Sequence, residues 1–103
     1  MKRYDKLVRD NIPDIMETKG KKFKIHTASE EEYLEKLKEK LLEEVNEFLE
    51  EPCLEEMADI FEVYSALLFA MDITPEKLEE YANKKNDERG AFGSKCILEW
   101  VEN

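Results

Sequence analysis

Between Tyr33 and Leu49 the apolar side chains recur at intervals of three and four (Tyr33, Leu34, Leu37, Leu41, Val45, Phe48, Leu49), and the run stops before Pro52. That period is helical, so the stretch reads as a long amphipathic helix with one face buried. Ser29 and Glu32 make a capping box at its start, and Pro52 cannot continue it. A second helix follows from about Cys53 to Met71. Its Leu54, Met57, Phe61, Tyr64 and Leu68 form one stripe, while Ile60, Val63, Leu67 and Ala70 form another on a different side. Such a helix has to be surrounded. Antiparallel pairing with the first helix uses one stripe, and further helices of a bundle or a second subunit cover the other.

Shorter elements flank this pair. Asn11, Ile12 and Pro13 form a capped start and Gly20 a stop, predicting a short helix over residues 11 to 19. Phe23, Ile25 and Thr27 alternate with Lys22, Lys24 and His26, the period of a short strand. Thr74 and Pro75 open a third long helix, with Leu78, Tyr81 and Ala82 inward and Gly90 as a left-handed stop. Cys96, Ile97, Leu98, Trp100 and Val101 suggest a terminal extended segment able to pair with Phe23 to Thr27. The expectation is an all-α protein: an antiparallel helical bundle with a short accessory strand pair, one domain over residues 1–103, oligomeric because a core this small leaves apolar helix faces to cover.

Composition narrows the function. The chain is 42% hydrophobic and 41% charged, and no apolar run reaches the roughly 20 residues that span a bilayer. The start, Met1 to Asp5, lacks the apolar stretch of a signal peptide, which makes the cytoplasm the expected location. Cys53 and Cys96 form no CxxC and read as packed thiols. A net charge of −10, from 26 acidic and 16 basic side chains, disfavours nucleic acid polymers as partners. Half of the basic residues lie in the first 24 positions, so the remainder is strongly acidic.

The acidic residues fall into a pattern. Glu43-Glu44-Val45-Asn46-Glu47 lies on the first long helix and Glu56-Met57-Ala58-Asp59 on the second. Residues three apart occupy one helix face, so Glu44 with Glu47, and Glu56 with Asp59, can each direct two oxygens at one place. The turn at Pro52 folds the second pair back towards the first. Hard divalent cations bind sites of this kind, and magnesium completes its octahedron with water and phosphate oxygens. Acidic pairs are common on solvated helix faces, but Glu56 and Asp59 continue the apolar Ile60, Val63, Leu67 and Ala70 side, where unpaired acids are rare.

The order Leu42-Glu43-Glu44-x-x-Glu47, Glu56-x-x-Asp59, then Lys85 to Arg89-Gly90, resembles the MazG-like and phosphoribosyl-ATP pyrophosphohydrolase superfamily of all-α nucleotide pyrophosphatases. Lys6-Leu7-Val8-Arg9-Asp10-x-Ile12-Pro13 and Arg89-Gly90-Ala91-Phe92 resemble its small single-domain branch, although the interval between the two acidic pairs is shorter than in MazG proper. The resemblance implies hydrolysis of a nucleoside triphosphate between the α- and β-phosphates, giving the monophosphate and pyrophosphate, a house-cleaning activity on the nucleotide pool. It implies magnesium, with manganese as a substitute, on Glu44, Glu47, Glu56 and Asp59. Glu43 would orient or deprotonate the attacking water, which places Glu43 and Glu44 in the catalytic role.

Lys85 and Arg89, one turn apart, suit the substrate phosphates, as do Lys6 and Arg9 from the basic N-terminal segment. Asn86, His26 and Trp100 read more simply as surface or packing residues. The expected partners are the nucleotide and further copies of the chain, as dimer or tetramer, with no membrane. Phosphoribosyl-ATP is an alternative substrate, and a noncatalytic helical oligomerisation or regulatory module is the reading from another class. A carboxylate-bridged di-iron bundle normally needs Glu-x-x-His, and no histidine follows either pair.

Overall fold

A computed structural model describes residues 1–103 and contains four helices and no strand: α1 (Ile12–Thr18), α2 (Glu30–Glu50), α3 (Leu54–Ala70) and α4 (Pro75–Arg89). Two compact units divide it, Met1–Asp72 and Ile73–Asn103.

In the first unit, α1 ends as Gly20 requires. Gly20 has φ +70°, its N–H donates to the Glu17 carbonyl, and the Lys21 N–H donates to the Met16 carbonyl, the paired bonds of a Schellman stop. At the other end Asn11 is in right-handed helical conformation and makes no side-chain cap. Ser29 caps α2 by accepting from the Glu32 N–H at 3.2 Å. The returning half of the capping box is replaced: both Glu32 oxygens lie 3.0 and 3.1 Å from His26 Nε2.

The two long helices, joined through Glu51, Pro52 and Cys53, pack on each other as an antiparallel hairpin. Leu37 and Val63 are its buried apolar residues, and Leu34, Leu41, Val45, Ile60 and Leu67 are half-buried around them. Burying a side chain such as Leu37 contributes about 2 kcal/mol. The stripe stops one position short of expectation, since Leu49 is exposed like Leu42. On α3 the Ile60, Val63, Leu67 side faces inward. Leu54, Met57, Phe61 and Tyr64 face outward, with Leu54 86% and Phe61 64% exposed. α3 closes without glycine: the Met71 N–H reaches the Leu67 carbonyl, and Asp72 takes the left-handed conformation with φ +56°.

In the second unit, Thr74 caps α4 by accepting from the Lys77 N–H, and Pro75 occupies the first turn. Gly90 ends the helix with φ +79° and ψ 173°. That is an extended glycine-only conformation rather than the left-handed helical stop expected. Leu78 is half-buried, but Tyr81 and Ala82 are exposed, with the Lys77 ammonium 5.5 Å from the Tyr81 ring centre.

The accessory strand pair is a correction. Residues 23–27 and 96–101 have no strand structure, and Phe23, Ile25, Ile97, Leu98 and Trp100 are exposed. Alternation over three residues shows which face would be apolar, but a strand exists only when a neighbour completes its hydrogen-bond ladder. Cys53 and Cys96 are exposed free thiols rather than packed ones.

Candidate metal centre

The closed end of the α2–α3 hairpin gathers the four expected carboxylates. Glu44 and Glu47 stand one turn apart near the end of α2, and Glu56 and Asp59 one turn apart at the start of α3. One oxygen from each lies within 4.8 Å of every other. The three-residue connection is what brings these turns side by side.

Glu44 is the anchor of the group. It is the chain's one buried charged residue, its side chain only 8% exposed, and its Oε2 has no hydrogen-bond partner. Glu56 Oε2 is likewise buried without a partner. For the Glu44 oxygen, in the one buried carboxylate side chain, losing water without gaining a donor costs about 1–3 kcal/mol. Burial pushes the Glu44 carboxyl above its ordinary value of 4.5, and the neighbouring Glu47 and Asp59 push it further, against the pull of Lys40. Glu56 is raised in the same way, first by loss of solvent and then by the charges of Asp59 and Glu44.

These properties fit a hard cation. Four carboxylate oxygens within 4.8 Å of one another are close enough to turn towards one divalent cation, and magnesium would bind them at about 2.0–2.1 Å. The two partnerless oxygens belong to different helices, one on each side of the hairpin.

Glu43 points to another partner set. Lys6 Nζ donates to its Oε1 at 2.9 Å, and Lys40 Nζ lies 3.5 Å from its Oε2. The hydrogen bond from Lys6 holds the Glu43 carboxyl below the usual range. Arg9 Nη2 donates to Asp59 Oδ1 at 2.7 Å. The two N-terminal cations expected to meet substrate are thus both on carboxylates of the site. Lys85 and Arg89 lie exposed on α4 in the second unit.

Lys40 is the residue that sequence reasoning missed. Its side chain is largely covered, and its Nζ is 3.5 Å from both Glu43 Oε2 and Glu44 Oε1. The signal was present: Lys40 precedes Glu43 by three residues and Glu44 by four, the spacings at which helical ion pairs form. No family model, no curated protein and no solved structure matches this chain.

Proposed function

We propose that this chain is a magnesium-dependent nucleotide pyrophosphohydrolase of MazG-like type, cleaving a nucleoside triphosphate to monophosphate and pyrophosphate. The supporting observation is the set of four carboxylates within 4.8 Å, two of them with buried oxygens that lack any partner. A structural role would leave those oxygens in water or on a donor.

Glu44, Glu47, Glu56 and Asp59 would hold the cation, and manganese offers the same oxygen chemistry. The bound metal would neutralise phosphate charge and lower the pKa of a coordinated water. Glu43, kept ionised by Lys6, offers lone pairs to align the attacking water. The water oxygen bonds to the α-phosphorus as the bond to the α,β-bridging oxygen breaks. Pyrophosphate departs with that electron pair, and the water's proton passes to solvent by way of the Glu43 carboxylate. Lys6 and Arg9, paired with Glu43 and Asp59 at rest, would turn to the remaining phosphate oxygens.

The outward stripe of Leu54, Met57, Phe61 and Tyr64 is the face that a second copy would cover, completing a bundle around the hairpin. The test is to incubate the full chain with magnesium and a panel of nucleoside triphosphates and to identify the first phosphate product. Pyrophosphate is expected, and orthophosphate as the sole primary product refutes the assigned cleavage position.

A further inference from the structure

The N-terminal segment is held against the hairpin by its own cations. Residues 1–9 have no regular secondary structure, yet three side-chain bonds tie them to distant positions: Lys6 to Glu43, Arg9 to Asp59, and Lys36 Nζ to the Asp5 carbonyl at 2.7 Å. Asp5 itself has φ +46°, a conformation that costs an L-residue energy and that the Lys36 bond helps to hold. Leu7 and Val8, between the two cations, are half-buried.

The Arg9 contact spans 50 residues of sequence and ends on one of the four clustered carboxylates. We propose that Arg9 is an internal counter-ion of the cluster, so that binding of a divalent cation there and docking of residues 5–9 oppose each other. This rests on the metal-binding reading above. The cluster has four acidic groups, with Lys40 at one edge and Arg9 at the other. A divalent ion that takes its charge weakens the hold on the guanidinium. By thermodynamic reciprocity, removing the guanidinium strengthens the hold on the ion. The Arg9–Asp59 pair is partly exposed, which limits its coupling to a few-fold in affinity. Freed from Asp59, Arg9 presents an unpaired fork of donors beside the metal, the arrangement that a phosphate oxygen accepts.

Calorimetric titration of the metal-free full chain with magnesium chloride tests this, on the unaltered protein, Arg9→Gln, Asp59→Asn and Lys19→Gln. The last removes the same charge at the end of α1, away from any ion pair. Arg9→Gln should bind magnesium about three- to fivefold more tightly than Lys19→Gln. Tryptic cleavage after Lys6 should quicken when magnesium is added to the unaltered chain. Equal or weaker binding by Arg9→Gln, or slower cleavage at Lys6, overturns the counter-ion role. If the unaltered chain binds magnesium and Asp59→Asn does not, while Arg9→Gln matches Lys19→Gln, only this proposal falls. If the unaltered chain binds no magnesium, both fall.

Discussion

The ammonium of Lys40 lies 3.5 Å from Oε1 of Glu44, the single buried carboxylate of the chain. It also lies 3.5 Å from Glu43, so one cation serves two adjacent acids that repel each other. Replacing it with methionine keeps the stem's packing and removes the charge. Lys40→Met should lower the stability of the metal-free protein by about 1 kcal/mol at neutral pH, the order expected for a pair between surface and interior. Urea unfolding at fixed ionic strength measures this.

The metal-free chain should respond to mild acid in an unusual direction. Glu44 and Glu56 have carboxyls raised above 4.5, so the folded state binds protons more readily than the unfolded one. Stability then increases as pH falls from neutral through those raised values. Glu43 has the opposite sign: its lowered carboxyl contributes stability that disappears once pH drops through its folded value. A maximum in stability on the acid side of neutral is the expected result by urea titration. With saturating magnesium the trend should reverse above that maximum, because protons and metal then compete for the same oxygens.

Neutralising the cluster separates catalysis from folding. Glu47→Gln and Asp59→Asn should each reduce pyrophosphate release by 100-fold or more, an effect on the order of about 3 kcal/mol on the barrier. Neither should unfold the protein, and Glu47→Gln, which breaks no ion pair, should raise the melting temperature of the metal-free form by relieving like-charge repulsion. A scaffold without catalytic function would give no activity to lose.

Phe61 and Leu54 sit on the outward face of α3. Phe61→Lys combined with Leu54→Lys should reduce the mass of the particle in light scattering to that of one chain, 12.2 kDa. Circular dichroism should still show the helices, since neither residue contributes to the α2–α3 seam.

The helices and the carboxylate group were legible because both follow from local rules. Ser29, Thr74, Pro75 and Gly20 mark ends by bonds made within a few residues, and the spacing of Glu44 to Glu47 and Glu56 to Asp59 is a property of one helical turn. What escaped depends on distance in the chain. The apolar pattern of Phe23 to Thr27 cannot reveal that no ladder partner is present. Nor does the placement of Arg9 on Asp59, rather than free in solvent, follow from any spacing between them. Which α3 stripe turns inward was also undetermined, because both have the helical period. The acids on the Ile60 and Val63 side were the one asymmetry between them.

The whole carboxylate group is contained in the continuous stretch from Glu44 to Asp59, across a turn of three residues. Contacts this close in sequence form early when a chain folds, because little loop entropy is lost in closing them. The mutual repulsion of these carboxylates is therefore met as the hairpin shuts. A cation present at that moment would act on the rate of refolding as well as on the finished protein.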